Sequence, residues 1–379
     1  MLPSGATIGM LGGGQLGRMF TVAARTLGYR VIVLEPDPQS PAGQLADQHI
    51  QATYDDAQAL EQLGKACDVI TTEFENIPAQ TLKTLSTYCP VHPSAEAVQV
   101  AQDRIVEKTF VRSCGLSPVP FIAVRTLADL QQAETHIQFP AILKTARLGY
   151  DGKGQITVKS ISEAEAAFKQ LNEVDCVLEQ RVELEREISV VLGRNQRGEV
   201  LCFPVAENEH RNGILYQTRV PARISPELAQ QANDAATTIA NKLNFIGVMA
   251  VEFFVTKSGE LLVNEMAPRT HNSGHYTLDA CVTSQFEQQV RMVCGLPFGS
   301  TRLVSPVVMI NLLGDLWPEG NQPDWLQVFS DPETKLHLYG KASARKGRKM
   351  GHYCTLALNA DEAEQTANTI FQNLERVLN

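Results

Sequence analysis

Two short apolar runs, residues 6–11 (ATIGML) and 30–34 (RVIVL), flank a glycine-rich turn and an amphipathic stretch, LGRMFTVAARTLG. Short continuous apolar runs read as buried strands, and the helical spacing of the apolar residues between them reads as a helix closed by a glycine. The chain therefore opens strand, turn, helix, strand. A further strand at 68–72 and helical stretches at 56–66 and 78–87 continue a parallel α/β domain to about residue 100. One helical stretch, 94–114, follows the loop around Pro90 and Pro93. It ends at the proline-rich LSPVPF, which marks a boundary.

A second α/β unit begins there. Strand candidates at 140–144, 155–159, 176–180, 187–193 and 200–205 predict a mixed sheet with hairpins. A long helix at 226–243 precedes two strands, 247–256 and 260–265, joined by Lys257, Ser258 and Gly259. From about residue 298 a smaller region carries short β-like runs. At 379 residues the chain suits two or three domains rather than one core.

Composition narrows the class. Hydrophobic residues at 44% and charged residues at 20% match a soluble globular protein. With 33 basic and 42 acidic residues, the net charge of −9 argues against a nucleic-acid surface, which needs clustered cations. No segment approaches the roughly 20 apolar residues of a membrane span, and MLPSGATIGMLGGG lacks the pattern of a secretory signal. Eight cysteines (67, 89, 114, 176, 202, 281, 294 and 354) are scattered without a CxxC pair, as expected for reduced thiols in a cytoplasmic protein.

Candidate chemistry gathers in four places. Gly12, Gly14 and Gly17 form a G-x-G-x-x-G turn between strand and helix, with Glu35 ending the second strand. That pattern suits a dinucleotide, and equally the positioning of another phosphate or substrate. Downstream, LKTARLGYDGKGQ places Lys144 at a strand end before Gly149, Gly152 and Gly154. Backbone N–H groups there can close over phosphate oxygens while Lys144 and Lys153 supply charge.

Glu252 and Glu265 interrupt strands that are otherwise apolar, where a carboxylate is costly unless paired or bound to a cation. Brought together across a ladder beside Asn264, they offer oxygen ligands to Mg²⁺; a structural ion pair is the alternative. PRTHNSGH, residues 268–275, then concentrates Arg269, His271, Asn272, Ser273 and His275, groups suited to an oxyanion such as bicarbonate.

Taken in order, LGGGQLGRM, QDRIVEKTF, GYDGKGQ, GVMAVEFF, NEMAPRTHNSGH and KGRKMGH resemble the ATP-grasp superfamily over essentially the whole chain. Within it they are most similar to the 5-(carboxyamino)imidazole ribonucleotide synthetases. The resemblance implies an α/β ATP-grasp fold in three parts. These are a Rossmann-like pre-ATP-grasp domain at 1–102, an ATP-grasp domain at 103–297 with a lid near 115–180, and a small β-rich C-terminal domain at 298–379.

It also implies that ATP and Mg²⁺, with Mn²⁺ as an alternative, serve the carboxylation of aminoimidazole ribonucleotide by bicarbonate through carboxyphosphate. ATP would be held by Arg104, Lys144, Gly149, Tyr150, Asp151, Gly152, Lys153, Gly154, Gln155, Glu179, Gln180, Arg181, Val182, Glu187, His210, Asn264 and Glu265. The metal would lie on Glu252 and Glu265. Substrates would meet Gln15, Glu73, Arg269, His271, Asn272, Ser273, Lys341 and Arg348. Catalysis would fall to Asp151, Tyr150, Arg269 and Lys341.

The resemblance further implies a cytoplasmic homodimer, a separate mutase downstream, and no nucleic-acid or membrane partner. Rival readings are another ATP-grasp ligase (glycinamide ribonucleotide ligase, formate-dependent transformylase or biotin carboxylase type), a silent nucleotide-binding module, and an NAD-dependent oxidoreductase built on the first glycine loop.

Overall fold

The computed structural model describes residues 1–149, 154–317 and 321–376. The N-terminal region is a parallel four-stranded sheet in the order Gln48–Ile50, Arg30–Leu34, Thr7–Leu11, Val69–Thr72. The apolar runs are buried on both faces, as parallel strands covered by helices require. Leu11 lies beside both Leu34 and Thr72, so the strands end together. Gly12 and Glu73 therefore start loops at the carboxyl edge, where open parallel sheets bind ligands.

The expected helix at 94–114 is two helices, Ala95–Ala101 and Arg104–Ser113. Asp103 separates them, because its Oδ1 accepts from Ile105 N at 3.0 Å and Val106 N at 3.3 Å and caps the second helix. A short acidic side chain prefers that cap to a helix interior. The break turns Arg104, Glu107 and Lys108 toward the rest of the molecule.

The expected mixed sheet is two separate sheets, each antiparallel throughout. A four-stranded one runs Phe121–Val124, Cys176–Gln180, Ala141–Thr145, Gln155–Val158. The larger sheet is centred on Leu184–Arg194 and Gly247–Thr256. Its core packs Ile188, Val190 and Leu192 against Ala232, Ala236 and Ile239 of the helix Pro226–Lys242. Each large aliphatic side chain buried this way contributes about 1.5–3 kcal/mol.

Beyond residue 298 the strands Val307–Leu313, Lys349–Leu356 and Thr334–Leu338 extend this sheet rather than standing apart, with Val307–Leu313 pairing Ile214–Val220. A final helix, Ala360–Arg376, covers them through Ala363, Ala367, Ile370 and Leu374. The β-like reading of this region overlooked that helix. Among the described residues no helix is long and apolar enough to cross a membrane. Five cysteines are buried and Cys89, Cys114 and Cys202 half-buried, and none is in a disulfide.

Candidate active site

The strand register sets Glu252 directly opposite Glu265. Burial, with the Glu265 carboxylate next, pushes Glu252 up to about 7, a strain that a bound cation relieves. Arg104 supplies part of that charge, with Nη1 3.2 Å from Glu265 Oε2, while its Nη2 donates to Gly149 O at 3.3 Å. Two further contacts from the same helix turn grip this strand. Lys108 Nζ donates to Asn264 O at 3.2 Å, and Met266 N donates to Glu107 Oε1 at 2.6 Å. Burial, and then Glu265, raises Glu107 to about 8.

Lys144 ends its strand with Nζ 2.6 Å from Glu179 Oε2, and Lys108 Nζ lies 3.1 Å from Glu179 Oε1. Burial opposes ionisation of Glu179, yet Lys144 and Lys108 together hold it at about 2. Two cations on one carboxylate leave a net positive charge at this point. Next along the chain, Gln180 N and Arg181 N donate to Pro120 O at 2.9 Å and Pro140 O at 3.1 Å, and Val182 is half-buried. On the neighbouring sheet His210 pairs through Nδ1 with Glu187. Burial opposes that charge, but the Glu187 bond and the Glu252 charge raise His210 to about 9.

Gly154 has φ +71°, and a Cβ there would stand 2.7 Å from Thr145 Oγ1, so only glycine closes this turn without displacement. Gln155 begins the strand that follows and pairs with Lys144. Tyr150, Asp151, Gly152 and Lys153, expected at the tip of this loop, lie outside the described residues.

Arg269 reaches across to Glu75 of the N-terminal region. Its Nε bonds Glu75 Oε2, and its Nη2 donates to Glu75 Oε1 at 3.1 Å. His271 Nε2 lies 3.6 Å from Glu252 Oε1. Burial, and then the Arg269 charge, holds His271 well below the usual imidazole range, so it is neutral. Asn272 and Ser273 are turned inward rather than toward a ligand. Asn272 exchanges two amide bonds with Asn311, at 3.0 and 2.7 Å, and Ser273 Oγ accepts from Ser189 Oγ at 2.8 Å. Both side chains are buried and fix the loop's shape.

The first glycine loop corrects the dinucleotide reading. Gly14 N bonds Glu73 Oε1, and Gly17 N donates to Glu73 Oε2 at 2.6 Å, so the chain's own carboxylate fills the phosphate cradle. Gly12, at φ +99°, admits no Cβ, which would fall 2.5 Å from Glu73 Cγ. Glu35, the acid at the end of the second strand that a dinucleotide reading would use, accepts instead from Gly13 N at 2.9 Å and Tyr54 Oη at 2.7 Å. Gln15 stands half-buried at the helix start. Burial raises Glu73 above the usual carboxylate range, against the opposing Gly17 and Gly14 N–H bonds and, last, the Lys341 charge; Lys341 Nζ donates to Lys349 O at 2.7 Å. Arg348 Nη1 donates to Ser343 O at 2.9 Å from an exposed turn.

Three groups of this site escaped sequence reasoning: Glu75, Glu107 and Lys108. Adjacent charges in DRIVEKTF look like a solvated helix face, and only tertiary packing buries them. A surface groove of about 750 Å³, bounded by Leu116, Gln231, Phe253 and Leu261, contains none of these residues.

Three family models match in chain order. They are the ribonucleotide synthetase preATP-grasp domain over residues 5–102, the ATP-grasp domain over 109–286, and the phosphoribosylaminoimidazole carboxylase C-terminal domain over 307–366. N5-carboxyaminoimidazole ribonucleotide synthase of Bacillus subtilis (strain 168) is 45% identical over 373 residues, covering 97% of this chain and 96% of its own. The chain belongs to the N5-carboxyaminoimidazole ribonucleotide synthase family.

Solved structures of this family superpose closely. An ADP complex of an N5-carboxyaminoimidazole ribonucleotide synthetase gives a TM-score of 0.93 at 43% identity, covering 99% of each chain. The Aspergillus clavatus synthase, in complex with ADP and 5-aminoimidazole ribonucleotide, gives 0.90 at 30% identity, covering 98% of this chain and 99% of its own. The family's ATP-grasp core thus coincides with the region that carries Lys144, Glu179, Glu252 and Glu265.

Proposed function

We propose that this chain uses ATP and bicarbonate to carboxylate the amine of 5-aminoimidazole ribonucleotide, giving N5-carboxyaminoimidazole ribonucleotide, ADP and phosphate. One observation carries the reading: identity of 45% to a named synthase extends over 97% of the chain. The clustered cations and paired acids agree with it.

Bicarbonate oxygen attacks the γ-phosphorus as the bond to the β-phosphate oxygen breaks, so ADP leaves and carboxyphosphate forms. Arg104, Lys144 and residues 149–154 bear on the nucleotide, Glu179 through Val182 line its base, and Glu187 faces its ribose beside His210. These groups act by position and charge, as phosphoryl transfer requires. Two facing carboxylates offer oxygen donors that suit a hard cation, and Glu252 and Glu265 would hold it. Held there, Mg²⁺ would supply charge neutralisation for the phosphates of ATP.

In the second step the exocyclic amine attacks the carboxyl carbon, directly or as released CO₂, and phosphate departs. The amine proton passes to a base, for which Asp151 beside Tyr150 is our assignment. Arg269 and His271 hold the bicarbonate on a loop whose shape Asn272 and Ser273 fix, Gln15 and Glu73 meet the ribonucleotide, and Lys341 and Arg348 bear on its phosphate. We place the enzyme in the cytoplasm as a homodimer, with a separate mutase moving the carboxyl group onward.

The test is phosphate release from MgATP and bicarbonate, with and without aminoimidazole ribonucleotide, alongside labelled bicarbonate trapped in acid-labile product. Release that depends on the ribonucleotide, with equal label incorporation, is expected. Turnover indifferent to the ribonucleotide would point to another ATP-grasp acceptor, and no ATP use at all would sink the assignment.

A further inference from the structure

The loop that follows the strand Val69–Thr72 carries two acids two residues apart, Glu73 and Glu75. Glu73 turns back into its own domain's glycine cradle. Glu75 leaves the domain and takes both Nε and Nη2 of Arg269, so it grips the side edge of the guanidinium. Gln102 Nε2 pins this loop, donating to Glu75 O at 2.7 Å and Ile77 O at 2.6 Å. Burial works against ionisation of Glu75, yet Arg269 holds its carboxyl below the usual range.

The donors of Arg269 can be counted. A guanidinium has five N–H groups. Glu75 uses two, and Nη1 donates a third to Thr270 O at 3.2 Å. Among the described contacts that leaves one N–H on each terminal nitrogen, the number an end-on fork needs to match two oxygens of a carboxylate-like anion. An arginine without a partner on its side edge can rotate about its long stem and offer either edge. Gripped by Glu75 it offers one.

We propose that Glu75 is a positioning residue for the bicarbonate step: it fixes Arg269 so that only the end-on fork addresses the anion, and it ties that fork to the N-terminal domain where the ribonucleotide lies. The inference rests on the assignment of Arg269 to bicarbonate. It adds a residue from another domain that touches no reactant. The same pairing tempers the charge of Arg269, so selection of a planar anion rests on the geometry of the fork more than on attraction.

The experiment compares wild type with Glu75→Gln, Glu75→Asp and Arg269→Ala, reading the KM for bicarbonate in CO₂-depleted buffer, the KM for ATP, and phosphate released per label incorporated. Glu75→Gln keeps the shape but cannot accept at both oxygens. Its bicarbonate KM should rise tenfold or more and its phosphate-to-product ratio should exceed one, while the KM for ATP stays within twofold. Glu75→Asp should recover part of the loss.

A Glu75→Gln enzyme with a lower melting temperature but unchanged bicarbonate KM and coupling would make Glu75 a domain tether only and overturn the inference. A lower bicarbonate KM would also overturn it, by showing that Glu75 merely competes with the anion. Should Glu75→Gln fail to fold, Glu75→Asp alone decides, since a shortened fork must still raise the bicarbonate KM selectively. If Arg269→Ala leaves the bicarbonate KM unchanged, the assignment of Arg269 has failed first.

Discussion

Glu73 and Glu252 are both buried carboxylates raised above their ordinary range by burial, yet their surroundings are opposite. Glu73 accepts from two backbone N–H groups in a glycine loop. Glu252 faces a second acid across a ladder. One charge is met by backbone donors, and the other stands against a second carboxylate, which our proposal gives to a cation. A glycine fingerprint therefore marks a dinucleotide site only when its N–H groups remain open, whereas opposed buried carboxylates are the pattern expected of a cation site.

The contrast breaks most visibly at Glu252. Glu252→Gln should lower kcat by about 10³-fold, in line with losing several kcal/mol of charge stabilisation, while thermal stability holds or rises because the acid–acid repulsion is gone. A melting scan beside a phosphate-release assay checks both halves. A large loss of stability would show that the pair is structural.

Next comes the doubly held acid. Lys108→Met strips one cation from Glu179 and should destabilise by less than the ~3–5 kcal/mol of an uncompensated buried charge, because Lys144 remains. Urea unfolding reads this directly. Because the folded Glu179 pKa is depressed to about 2, its contribution to stability is fully present above the ordinary value of 4.5 and is lost as pH falls through 2. The stability gap between wild type and Glu179→Gln should accordingly narrow between about pH 5 and about pH 3. A gap independent of pH would refute the charged pairing.

Glu73→Ala should cost about 1–3 kcal/mol, the penalty for orphaning buried donors at Gly14 and Gly17. Unlike Glu252→Gln it must lower the melting temperature. The smallest effect expected is that of NADH on wild type, which should not shift the melting temperature at all, since Glu73 fills the cradle and Glu35 is bonded to Gly13 and Tyr54. MgATP at a hundredfold excess over its Kd should stabilise by about 2.7 kcal/mol.

Much of this was legible in residue order. Periodicity gave the parallel N-terminal sheet, and acids within apolar strands singled out Glu252 and Glu265. Where reading failed, the physics was tertiary or a weak signal was passed over. Nothing local says that Lys108 is 1% exposed, because its burial depends on a carboxylate 71 residues away by number. Glu75 likewise acquires its meaning from Arg269. The final helix did leave a signal in the spacing of Ala363, Ala367, Ile370 and Leu374, and the β-like runs before it drew attention away. Asn272 and Ser273 look like ligand groups in a polar run, but their hydrogen bonds close inward on Asn311 and Ser189.

The most direct test of this contrast is a Mn²⁺ titration in the presence of ADP, followed by electron paramagnetic resonance, on wild type, Glu252→Gln, Glu265→Gln and Glu73→Gln. The account expects each of the two strand variants to weaken Mn²⁺ binding at least tenfold and Glu73→Gln to leave it within twofold. Equal binding by all four proteins would contradict it.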